Sequence, residues 1–169
     1  MITSTATTFD LAFPLPFYRQ SSSITRLAGE KNDPYRGVEK TAENITHLVL
    51  LGLRQKLTAL QHLPEDWDGN GSVQPNPLAI ANALGWLEEI YTQIFEAKLG
   101  WLAPLITASE DGEVVFEWWR GDHELTLYFG ADHQAEFIKV WGPHIKNEMA
   151  DGKLVDPVGI LALWKWLSA

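Results

Sequence analysis

Residues 113–141 read EVVFEWWRGDHELTLYFGADHQAEFIKVW, and this stretch decides the fold. Side chains alternate between apolar and polar in three runs, Glu113–Trp119, Glu124–Phe129 and Ala135–Trp141. The period of two is that of half-buried strands. Arg120-Gly121-Asp122 and Gly130-Ala131-Asp132 interrupt the runs with residues suited to tight turns, so the strands should pair as consecutive antiparallel hairpins. Just upstream, Leu105–Ala108 precedes Glu110-Asp111-Gly112 and reads as a fourth strand. One face of such a meander must be covered, because Val114, Phe116 and Trp118 share a side, as do Leu125, Leu127 and Phe129.

Helical spacing on the N-terminal side supplies the cover. Asp33-Pro34 has the form of an N-cap followed by proline at the first helical position. From there to Leu63 apolar residues recur at Val38, Ile45, Val49, Leu53, Leu57 and Leu60, and Pro64 stops the helix. Asn76-Pro77 repeats the cap, opening a second helix to about Lys98 with a stripe of Ile80, Ala83/Leu84, Leu87, Ile90/Tyr91 and Ile94/Phe95. Asp156-Pro157 caps a short, apolar helix, Val158–Leu167, whose Leu161, Trp164 and Leu167 fall on one side. The reading is an α+β domain over residues 33–169: a helical hairpin packed on a four-stranded antiparallel β-meander, with a C-terminal helix. Residues 1–32, rich in Ser and Thr with Pro14 and Pro16 among aromatics, read as an extended N-terminal arm.

Composition narrows the function. The chain has 169 residues and a formal charge of −9, which suits one acidic domain and argues against nucleic acid or an anionic membrane surface as partner. There is no cysteine, so disulfides, thiolate metal sites and cysteine nucleophiles are excluded together. The longest apolar stretch, Leu48 to Leu53, is far below the roughly 20 residues of a membrane span. With no basic residue before Arg19, the N-terminus does not resemble a secretory leader, and the expectation is a soluble, cytoplasmic protein.

The loop Asp66-Trp67-Asp68-Gly69-Asn70-Gly71-Ser72-Val73 matches the opening of an EF-hand calcium loop and lies between two helices. The closing glutamate is missing, because Pro77 stands there. Asp66, Asp68, Asn70 and the Ser72 carbonyl supply four oxygens, and Gln74 a fifth through water, where calcium takes about six to eight. A turn in which Asp and Asn bond their own backbone is the competing reading. The loop and the residues C-terminal to it resemble a group of small uncharacterised bacterial proteins with a Trp-Asp-Gly-x-Gly turn, prolines, a helix and a strand–Asp-Gly–strand unit ending in Glu-Trp. The matching elements here are Trp67 to Gly71, Pro75 and Pro77, Pro104 to Gly112, and Glu117-Trp118, over about residues 63–141. That group has no established activity, so the resemblance implies a fold unit and no catalytic residues.

The five histidines do not suggest a metal. His47 and His62 sit about four turns apart on one helix, His123 and His133 at opposite ends of a strand, and His144 stands by itself. Hydrolase elbows, zincin motifs and phosphate loops are absent, so neither cofactor nor metal is expected. Glu88-Glu89 and the strand carboxylates Glu113 and Glu117 are the remaining candidates for acid–base chemistry. On the outer side of the sheet, Trp119 and Tyr128 project together. Placing Lys139 outward adds Phe137 and Trp141 to them. These four residues form the expected partner-binding patch, aromatic and rimmed with carboxylates; the competing reading is that the N-terminal arm or the last helix covers them and makes them a second core. The function read from the sequence is therefore a non-catalytic protein-interaction or accessory module. It would bind itself or another protein and form a homo-oligomer. The alternatives are a calcium-binding module using the Asp66–Gly71 loop and a hydrolytic enzyme using the sheet carboxylates.

Overall fold

A computed structural model describes residues 36–144 and 146–169, with side chains from residue 47 onward. The N-terminal arm over residues 1–32 and the Asp33-Pro34 cap lie outside the described residues. Helix α1 spans Arg36–Leu60 and helix α2 spans Pro77–Glu96. The strands are β1 (Leu105–Ala108), β2 (Val114–Arg120), β3 (His123–Phe129), β4 (Ala135–Val140) and β5 (Met149–Leu154). A single 3-10 turn at Pro157–Gly159 then leads into helix α3, Ile160–Leu167. The strands form one antiparallel sheet in sequence order, so the protein is α+β. None of the helices among the described residues is long and apolar enough to cross a membrane.

The Asn76-Pro77 signal is used as the sequence suggests. Asn76 Oδ1 accepts the Leu78 N–H at 2.8 Å, satisfying an otherwise orphaned donor of the first turn. The buried stripe of α2 is Ala79, Ile80, Ala83, Trp86, Leu87, Ile90 and Ile94. It is rotated from the expected one toward Trp86, because the β3–β4 turn packs there. Trp86 Nε1 donates to the His133 carbonyl at 3.3 Å, and the Asn82 side-chain amide reaches the Gly130 and Gln134 carbonyls. From α1, Leu53 and Leu57 enter the same core.

The inner face of the sheet carries Val114, Phe116 and Trp118 on β2 and Leu125, Leu127 and Phe129 on β3, all buried as the alternation requires. Against it α3 sets Ile160, Leu163, Trp164 and Leu167. Ile160 and Leu163, rather than Leu161, join Trp164 and Leu167 on the buried side, because i, i+3, i+4 and i+7 make up one face of an α-helix. Trp164 stacks on Trp101 with ring centroids 5.8 Å apart and meets Trp118 edge-on at 5.7 Å. Two of these three indoles find acceptors, Trp118 Nε1 on the Leu102 carbonyl at 2.9 Å and Trp164 Nε1 on the Gly100 carbonyl at 3.1 Å.

The sheet has five strands where four were expected. The sequence of β5 is MADGKL, and Asp, Gly and Lys are poor strand formers, so no periodic signal marks it. Tertiary packing overrides that propensity. Gly152 pairs with Phe137, whose ring occupies the space a side chain would take. A Cβ placed on Gly152 would lie 2.8 Å from Phe137 Cε1. Gly152→Ala should therefore cost about 1–3 kcal/mol of stability through overpacking. In the Phe137→Leu background the same substitution should cost markedly less, giving a coupling measurable by chemical denaturation of all four proteins. Additive losses would show that the ring and the glycine are energetically independent.

Candidate functional site

Register decides which side chains share the outer face. In antiparallel pairs, directly opposed residues project to the same side. Trp119 lies opposite Glu124, Glu117 opposite Thr126, and Val115 opposite Tyr128. On the far side of β3, Tyr128 pairs with Glu136, Thr126 with Ile138, and Glu124 with Val140. The outer face therefore joins Trp119 and Tyr128, as expected from the sequence, to Ile138 and Val140.

Phe137 does not belong to it, and Trp141 meets it only at the end of the strands, where it lines a cavity of about 550 Å³ together with Trp119, Glu124 and Val140. Phe137 pairs with Leu127 and Lys139 with Leu125, so both point to the helix-covered side. Trp141 continues that side and meets Trp166 of α3 at a centroid distance of 6.2 Å. The expectation turned on sending Lys139 to solvent on the outer side. The chain instead places Lys139 at the rim of the inner side, where its ammonium lies 5.7 Å from the Trp141 ring and 5.2 Å from the Trp166 ring. A lysine can bury its stem on aromatic surface while its charge stays at the edge, and this satisfies the residue without exposing Phe137.

Trp119 is 49% exposed, whereas its neighbour Trp118 on the inner side is 1% exposed. Leu105 and Met149 flank the same face on the two edge strands and are also exposed. Val115 and Thr126 sit low between their taller neighbours and are nearly buried. Between β4 and β5 the face dips into a depression of about 400 Å³ lined by Tyr128, Ile138 and Met149, with Glu113, Glu136 and Asp151 around it.

Electrostatics give the face its character. Burial lifts the Glu113 carboxyl above its ordinary range, with Glu136 and Asp111 adding repulsion. Burial also lifts Glu117, and Glu124 adds to it. Tyr128 is raised in turn by burial and then by Glu117, Glu113 and Glu124. On this face Lys153 Nζ lies 2.5 Å from Glu136 Oε1, and no other ion pair between described residues is made there. Glu113 and Glu117 share the side expected of an acid–base pair, but four residues along a strand separate their Cα atoms by roughly 13 Å.

The Asp66–Val73 loop turns its acids inward on its own backbone. Asp66 Oδ1 accepts the Gly71 N–H at 2.6 Å and Asp68 Oδ1 accepts the Asn70 N–H at 2.9 Å. The Ser72 carbonyl, an oxygen counted toward calcium, accepts the Asp66 N–H at 2.8 Å. Hydrogen bonding from Ser72 and from the Asn70 backbone holds Asp68 down at about 2. The loop then docks on the β1–β2 turn: Val73 N–H donates to the Glu110 carbonyl at 2.8 Å, and Asn76 N–H to the Gly112 carbonyl at 2.9 Å. Gly112, at φ 79°, has no room for a side chain, since a Cβ would meet the Gln74 carbonyl oxygen at 2.8 Å. The Trp-Asp-Gly-x-Gly turn and the Asp-Gly turn thus form one structural unit, with acids bound to amides. Among the described residues no group of three or more His, Cys, Asp or Glu side chains converges on a metal position. Compared with known proteins, the chain matches no family model, no curated protein and no solved structure.

The raised carboxylates make the outer face costly to maintain at neutral pH. A carboxylate whose folded pKa exceeds its unfolded value lowers stability above the folded pKa, and the loss is relieved as pH falls through that value. Glu117→Gln should raise the melting temperature at pH 7, and the gain should shrink as the solution is acidified toward the ordinary glutamate range near 4.5. Thermal melts across that range check it; a pH-independent or negative difference would contradict the assignment.

Proposed function

We propose that this chain is a non-catalytic protein-interaction module that works through the outer face of its sheet. The single observation carrying the reading is that Trp119 stands half-exposed there, although its neighbour Trp118 shows that the core has room for indoles. Around it lie Tyr128, Ile138 and Val140, and no described helix packs over them. An apolar patch with a polar rim is the usual anatomy of an interface, and tryptophan and tyrosine are its commonest anchors. The raised carboxyls point the same way, because a surface kept at a cost to folding is typical of functional positions. Both a second copy of the chain and another protein are occupants of the kind this patch takes.

A photo-reactive benzoylphenylalanine at Met149 keeps Trp119 intact and reports contact at the edge of the face. Irradiation of the protein in its native cells should give a discrete covalent adduct, while the same group at Gln55, exposed on α1, should give none. Adduct mass then separates a second copy from a different protein. No adduct from Met149, or equal labelling from Gln55, would contradict the reading.

A further inference from the structure

Resting on the reading of the outer face as an interaction surface, we infer that its occupant is a basic protein segment, rich in arginine or lysine with apolar residues between, rather than a second copy of this chain. Charge complementarity selects this occupant. Five carboxylates, Glu113, Glu117, Glu124, Glu136 and Asp151, edge the aromatic patch against one ammonium, Lys153, which is already joined to Glu136. A twofold pairing of this face would set one acidic rim against another, and like charges brought together across an interface oppose association. The chain as a whole carries a formal charge of −9, so repulsion between copies extends beyond the patch.

The placement of the acids selects the kind of cation. Glu124 lies directly across from Trp119, and Glu117 lies two residues along the same strand and on the same side. A guanidinium seated between those carboxylates stands beside the Trp119 indole, where ionic hydrogen bonding and stacking on the ring act together. At the other end of the face, Glu113 and Asp151 edge the depression at Tyr128, Ile138 and Met149, which takes an aliphatic side chain. Along the outer side of β2, Glu113, Val115, Glu117 and Trp119 alternate acid with apolar at every second residue, which suits an extended segment whose face-directed residues, themselves two apart, alternate apolar with basic.

The probe is a short peptide amide in which arginine and leucine alternate at every second residue with serine between them, titrated into isotopically labelled full-length chain and followed by NMR, with the same peptide carrying glutamate for arginine as its counterpart. The arginine peptide should shift the amides of Glu117, Trp119, Glu124 and Ile138, and binding should weaken steeply with added salt. Both Trp119→Ala and the pair Glu117→Gln with Glu124→Gln should weaken it about tenfold or more. The control pair Glu89→Gln with Glu96→Gln, on exposed α2 positions, should leave it unchanged, which separates the face from general attraction to an acidic protein. The glutamine variants keep shape and size, and their spectra establish that the fold is intact. Failure of the arginine peptide to bind, equal binding of the glutamate peptide, or equal loss in the control pair would overturn the inference. So would a Met149 cross-link between two copies, which leaves the broader reading standing; absence of any cross-link removes that reading instead.

Discussion

Two indole N–H groups, one from the sheet and one from the C-terminal helix, donate into the same short connector. Trp118 reaches the Leu102 carbonyl and Trp164 the Gly100 carbonyl, while Trp101 from the same connector stacks on Trp164. Buried indoles are costly to leave unpaired, and these two bonds satisfy the Trp118 and Trp164 N–H groups where sheet, connector and helix meet, while the Trp101 N–H is buried there without a protein acceptor. It also commits the inner face. With α3 and α2 fixed over Trp118, Leu125 and Leu127, the helices are held to one side and the opposite side of the strands faces outward. The half-exposed Trp119 is a direct consequence, because a strand that buries Trp118 inward must turn its successor out.

The same alternation explains what was legible in the sequence. Strands β2 and β3 and the capped start of α2 are readable because each carries a local signal, period two between turn residues or Asn-Pro ahead of an apolar stripe, and β1 is readable from its place before the Asp-Gly turn. Trp119 and Tyr128 were placed on the outer face for the same reason. Strand β4 was different. Ile138 and Val140 on one side balance Phe137 and Trp141 on the other, so only Lys139 broke the tie, and it broke it the wrong way. Nothing local announces that a lysine will lie over two tryptophans, one of which arrives from a helix some 25 positions later. Strand β5 had no signal because its Asp-Gly-Lys run is stabilised by pairing with β4 and by the Phe137 ring over Gly152. The docking of the Asp66–Val73 loop on the Asp111-Gly112 turn was equally unreadable, since both ends are backbone hydrogen bonds.

Acidic groups in this chain serve two purposes, and their surroundings separate them. In the loop, Asp66 and Asp68 accept backbone amides, and Asp68 is held well below the ordinary range. These acids shape a turn. On the outer face, Glu113 and Glu117 are raised by partial burial and by one another's neighbours, and they contribute repulsion to the folded chain. Such a cost is compensated by the well-packed inner core and becomes favourable when a partner of opposite charge arrives. The division between a packed inner face and an open, acid-rimmed outer one is the organising feature of the molecule.

Hydrogen exchange of the individual tryptophan indole protons in the isolated chain, followed by NMR, tests that division most directly. The indole protons of Trp118 and Trp164, bonded to the connector carbonyls, should exchange only with opening of the core and be among the slowest in the protein. That of Trp119 should exchange orders of magnitude faster. Comparable protection of Trp119 in the isolated chain would mean that its face is already covered, and rapid exchange at Trp118 or Trp164 would mean that the indole–connector clamp does not hold the fold.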